Sequence, residues 1–175
     1  MIKILKKRLS QEEEGFTLIE LMVVLLIIAI LMLIAIPTFL GARTKAQNRG
    51  AQSDLRNALT AEKTAYTSGS KYVAAGTGVL SKLEPSLKWT AGAPSKTVAN
   101  QVEALASTTG NTTCLYAQSA SGTYYGMADI ATGTGAGTYF ITLTGAPSAT
   151  CDAAAITPVS TTNPPPAGSW STSSF

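Results

Sequence analysis

A single carboxylate, Glu20, stands inside a run of 27 residues, Phe16 to Ala42, that carries no other charge. At the centre of a bilayer such a group costs about 2.5–3.5 kcal/mol on insertion scales, less near the surface. It therefore calls for a partner, either the positive end of its own helix or a cation brought from elsewhere. Gly15 and Phe16 form the junction at which this run begins, directly after Glu12, Glu13 and Glu14. The other reactive pair is Cys114 and Cys151, whose spacing fits no metal site. In an exported domain an even pair reads as one disulfide, and closing a loop of about 38 residues is worth about 4 kcal/mol in the chain-entropy model. In a reducing compartment the same two residues would be buried thiols. Other chemistry is scarce. The chain has no histidine, the commonest general base and metal ligand. It shows no nucleophile elbow and no phosphate loop, and GTGAG at Gly133 to Gly137 lies between strand-like segments with no helix after it, as a turn would. Neither an enzyme nor a cofactor nor a metal is expected.

The elements that must position Glu20 are legible from periodicity. Leu21 to Ile36 is sixteen apolar residues without a break. About 20 helical residues cross a ~30 Å hydrocarbon core, so Phe16 to Ala42 is long enough. The run is too long for the core of a secretory signal peptide, and acids precede it. Beyond it, Ala51, Leu55, Ala58, Leu59, Glu62, Ala65 and Tyr66 recur at steps of three and four, which marks one narrow stripe on a polar helix. One helix is thus predicted from about Thr17 to Thr67, with a kink at Pro37, where an amide is missing and the ring crowds the preceding turn. A short helix is predicted around Val98 to Leu105. TCLYAQSA, GTYYGMADIA and GTYFITLTG then read as strands joined by tight turns. The expected fold is α+β. The apolar half of a long N-terminal helix protrudes, and the amphipathic half packs on a C-terminal antiparallel sheet of three or four strands. The tail from about residue 160 contains Pro164 to Pro166 and is expected to be loose.

Charge is unevenly placed. Arg43 to Lys96 holds nine Lys/Arg against three acids, whereas after Lys96 only Glu103, Asp129 and Asp152 are charged. With little aromatic interleaving, the basic stretch reads as a solvated face; it is the sole support for nucleic acid as a partner. The three late carboxylates are too scattered for a calcium site of six to eight oxygens.

GFTLIELMVVLLIIAILMLIAIP closely resembles the N-terminus of type IV pilins and pseudopilins. The match is strong from Gly15 to about Leu40 and moderate to Tyr66. The resemblance implies that residues 1–15 are a cytoplasmic leader, cut after Gly15 by a membrane prepilin peptidase that also methylates Phe16. It implies that residues 16–42 form a membrane-spanning and later filament-core helix, and that 43–175 is an extracytoplasmic domain. It implies a structural role as a pilus subunit, a homopolymer put together by membrane assembly machinery. Lipid is its partner before assembly, and the cell surface its destination. Glu20 would then face the N-terminal ammonium of a neighbouring Phe16. The nearest alternative is a pseudopilin of a type II secretion or competence system. Three features depart from the pattern: a long, acid-ended leader, Ala29 where many relatives carry glycine, and cations on both sides of the apolar run that leave orientation unset by charge alone.

Overall fold

The computed structural model describes residues 15–133, 135–148, 150, 151, 154, 156, 169–172 and 175. Positions 1–14, within the expected leader 1–15, the proline run at 164–166 and Asp152 lie outside them. The chain divides into two compact units, Met1–Ala42 and Arg43–Phe175.

In the first unit the described residues enter helix α1, which spans Leu18–Gly69. Every residue from Gly15 to Ala42 is exposed. This stretch of α1 is long and apolar enough to cross a membrane, and none of its most apolar window is covered by the rest of the chain. The helix assignment runs through Pro37. The Thr38 hydroxyl donates to the Ile34 carbonyl at 3.0 Å, one residue past the carbonyl of Leu33 that the proline cannot serve.

In the second unit the same helix turns Ala51, Leu55, Ala58, Leu59, Ala61, Glu62 and Ala65 into the core. The predicted stripe matches this face, save that Ala61 joins it and Tyr66 stays half-buried. After Gly69 come a 3-10 turn at Ala75–Thr77 and a short helix α2 at Val79–Leu83. Five strands follow: β1 Lys88–Thr90, β2 Gln101–Ala106, β3 Thr112–Gln118, β4 Tyr124–Ile130 and β5 Gly137–Leu143. Their spatial order equals their chain order. The pairs β2–β3, β3–β4 and β4–β5 are antiparallel, and β1 lies parallel to β2.

The three strands expected from sequence are β3, β4 and β5. The helix expected at Val98 to Leu105 is corrected: this segment is β2. Glu, Ala and Leu favour a helix in isolation. Here Val102 and Ala104 are wholly buried against the α1 stripe while the backbone pairs with β3, and that packing outweighs propensity. β1 is only three residues long, too short to show a period.

Both faces of the sheet are covered. Leu115, Ala117, Tyr125 and Met127 join the α1 stripe in one cluster. Cys114, Tyr116, Ala128, Ile130, Tyr139 and Ile141 form a second with Ile156 and Trp170. The tail expected to be loose is packed where it is described. Ser171 exchanges both backbone hydrogen bonds with Phe140 on β5, at 2.8 and 2.9 Å. Phe175 meets Tyr125 and Phe140 edge-on, at centroid distances of 5.2 and 5.1 Å. Gly126, in mid-β4, is required by this packing. A Cβ there would stand 2.6 Å from the Ile141 side chain and 2.7 Å from the Tyr116 ring.

Candidate functional site

The start of α1 is built by two side chains. The Thr17 amide donates to Glu20 Oε2 at 3.0 Å, and the Thr17 hydroxyl donates to the same oxygen at 2.9 Å. In return the Glu20 amide donates to Thr17 Oγ1 at 3.3 Å. This is a reciprocal capping box, in which a Thr and a Glu three residues apart satisfy amides that the helix start leaves unpaired. The spacing Thr17-x-x-Glu20 was readable in the sequence, and Thr17 is the functional residue that the sequence reading passed over.

The box uses only half of the carboxylate. Among the described residues, Glu20 Oε1 has no hydrogen-bond partner. Gly15 has open space where a Cβ would be, and Phe16 is 91% exposed. The backbone at the Gly15–Phe16 junction is thus accessible on all sides. The box rests on Thr17 and Glu20 alone, so severing the chain before Phe16 leaves its three hydrogen bonds in place. Such a cut would create an ammonium four residues before a carboxylate that has one oxygen to spare.

The other expected pair is joined. Cys114 and Cys151 form a disulfide with a Cα–Cα distance of 5.6 Å, and the described residues hold no free cysteine. The bond ties the chain after the sheet to β3, the middle strand, on the face away from α1.

Two buried carboxylates of the second unit, Glu62 and Asp129, are satisfied internally. Glu62, fully buried on the core face of α1, accepts from the Val73 amide at 3.1 Å and the Thr113 hydroxyl at 3.2 Å. Burial pushes its carboxyl up to about 7 despite both hydrogen bonds. Asp129 on β4 accepts from the hydroxyls of Tyr72 and Thr138 and pairs with Lys63 at 3.1 Å. Burial, and next its bond to Asp129, hold the Tyr72 hydroxyl in its neutral form. These groups bind α1 to the segment after it and to the sheet. Their side chains are engaged in holding the fold, which leaves them no catalytic arrangement.

Residues 12–36 match a family model described as the prokaryotic N-terminal methylation motif. Over 65 residues the chain is 38% identical to the type IV major pilin protein PilA of Myxococcus xanthus, covering 37% of this chain and 30% of that protein. Over 54 residues it is 46% identical to the ComG operon protein 3 homolog of Bacillus licheniformis, covering 31% of this chain and 55% of that protein. Over 55 residues it is 42% identical to the type II secretion system core protein G of Escherichia coli, covering 30% of this chain and 38% of that protein. The matches thus span from under a third to just over half of the length of these relatives. No solved structure matches the chain. The chain is pilin-like: it carries the methylation motif on an exposed apolar helix and follows it with an α+β domain.

Proposed function

We propose that this chain is the structural subunit of a type IV pilus. The observation that carries the reading is the helix start, where an accessible Gly15–Phe16 junction adjoins a capped carboxylate whose second oxygen has no partner among the described residues, at the head of a helix whose apolar side chains are exposed.

In this reading the subunit waits in the cytoplasmic membrane with residues 16–42 spanning it and residues 43–175 outside. Prepilin peptidase cuts after Gly15, where no side chain obstructs the bond, and Phe16 is methylated. In lipid, Glu20 lies about 6 Å along the helix from Phe16, near enough to reach the interface. Assembly machinery then moves the helix into a filament. Copies of the same helix supply the apolar surroundings that lipid supplied before. Glu20 keeps Thr17 as its cap and offers Oε1 to the Phe16 ammonium of a neighbour, so neither charge is left alone in a dry core. Pro37 bends the helix within that core. The filament ends on the cell surface.

A second reading is a pseudopilin of a type II secretion or competence system, favoured by the identities to the secretion and ComG proteins. The resemblance implies a calcium-binding loop near the C-terminus in major secretion pseudopilins, and the donors among the described residues favour the pilus over that reading. Asp129 is filled by Lys63, Tyr72 and Thr138, and Glu103 is buried beside Tyr116, so neither is free to help cage calcium. The test is imaging combined with terminal mass analysis. Long surface filaments whose subunits begin at a methylated Phe16 are expected. Filaments that retain Met1 would overturn the processing, and an envelope-confined short filament would overturn the pilus.

A further inference from the structure

Among the described residues, the fully exposed charges of the second unit are all cationic. All nine of its cations, from Arg43 to Lys96, are exposed, while its described acids are buried or half-buried. Glu62, Glu103 and Asp129 are buried. Half-buried Glu84 is used by Ser86, whose hydroxyl donates to it at 2.6 Å. Asp54 alone remains: half-buried, with neither a hydrogen bond nor an ion pair.

Asp54 lines a recess of about 240 Å³ together with Gln47, the loop 96–101, Gln118 and Ser119. Lys96 is on its lining yet forms no ion pair with it. Partial burial raises the Asp54 carboxyl above its usual value. The recess is therefore an unfilled place for a cation. On α1, at about 100° per residue, Lys45, Arg49, Arg56 and Lys63 fall within about 40° of one line, and Asp54 falls about 140–180° away from it. Four of the five cations on this part of the helix share one edge, Lys63 among them already paired with Asp129; the opposite edge holds Asp54, with Arg43 about 20° from it.

We infer that the Asp54 recess of one copy receives Lys45, Arg49 or Arg56, from the opposite edge of α1, of a second copy of this chain. The inference rests on the filament reading above. Unlike edges meeting head to tail form a heterologous contact, the kind that repeats into an open helical polymer instead of closing on itself. Each copy supplies one acceptor and several candidate donors. The contact also relieves part of the repulsion among cationic surfaces.

The experiment compares filament yield for the full chain, Asp54→Asn and Lys96→Gln in the native host. Asn keeps the shape of a side chain that bonds to nothing in its own chain, so folding is preserved; protease resistance and the intact disulfide check this. Asp54→Asn should lower yield about tenfold, the scale of one part-buried charge pair, with Lys96→Gln unaffected. Zero-length carbodiimide coupling on filaments of mixed isotopic labelling should then join the Asp54 peptide to a lysine of the other label, unless the donor is an arginine. Normal yield from Asp54→Asn overturns the contact and leaves the pilus reading standing. Equal loss in Lys96→Gln, or coupling of Asp54 to Lys96 of the same copy alone, overturns it in favour of a bond within the chain. Absence of filaments from the unaltered chain overturns the pilus reading, and the contact with it.

Discussion

The two units treat a carboxylate on an apolar helix face in opposite ways. Glu62 sits in the core of the second unit with donors from two other segments of the same chain. Glu20 sits on an apolar helix in the first unit and finds only its own helix start, through Thr17. The second unit is complete in itself: its sheet is covered on both faces, and no buried side-chain polar atom among the described residues lacks a partner. The first unit exposes Leu, Ile, Val and Met on every side. In the proposed reading, the half left open is the one that lipid and then other copies complete. The difference can be tested residue by residue.

The largest effect is expected at Glu20. Glu20→Gln keeps the capping box, since glutamine serves at that position, but removes the charge. Glu20→Leu removes both. If the open oxygen of Glu20 is meant for a neighbour, both variants insert and are cut yet fail to form filaments, because breaking a buried charge pair costs about 3–5 kcal/mol. If Glu20 only caps its own helix, Glu20→Gln assembles normally. Electron microscopy of surface filaments, at a matched membrane pool, decides between the two.

Next in size is the disulfide. Cys114→Ser should lower the stability of the second unit by about 4 kcal/mol. The loss should appear as a lower midpoint of thermal unfolding in detergent-solubilised protein, with insertion and cleavage unchanged. On the intact protein, mass analysis without reductant should find two hydrogens fewer than after reduction.

The closed half should also respond to pH through Glu62. Its carboxyl is raised from 4.5 to about 7 in the folded chain, so the folded state holds the proton more tightly than the unfolded state. The resulting stability is fully present below about pH 4.5 and is lost as pH rises toward 7, a span on the order of 3 kcal/mol. Glu62→Gln should flatten that part of the curve. Unfolding midpoints measured from pH 4 to 8 that show the same slope in both proteins would remove Glu62 as the cause.

The smallest of the four effects belongs to the packing of β4. Gly126→Ala places a methyl where Ile141 and Tyr116 already stand, at an overpacking cost of about 1–3 kcal/mol. Gly41→Ala, in the open half, meets nothing within 4 Å. It should leave stability unchanged or slightly raise it, since alanine favours a helix over glycine by about 1 kcal/mol. Equal destabilisation by the two substitutions would break the contrast between the units.

Much of this was legible before any coordinates. The apolar run, the stripe from Ala51 to Ala65 and the strands β3 to β5 follow from periods of 3.6 and 2, which are local properties. The pairing of Cys114 with Cys151 followed from an even count in an exported setting. The capping box is equally local, since it needs only a hydroxyl three residues before Glu20. β2 was misread because QVEALA carries helix-forming residues whose pairing partner lies beyond a turn.

By itself the sequence determined where the helix runs, where it is apolar, where the single charge interrupts it and which segments pair into the sheet's antiparallel core, because each depends on residues a few positions apart. Only the tertiary structure decided which charges are spent and which are spare. Glu62, Glu84, Glu103 and Asp129 look no different from Asp54 along the chain. Whether a carboxylate meets an amide, a hydroxyl or an ammonium depends on contacts as remote as the 51 positions between Glu62 and Thr113. Those contacts exist only after hydrophobic burial has brought the helix onto the sheet.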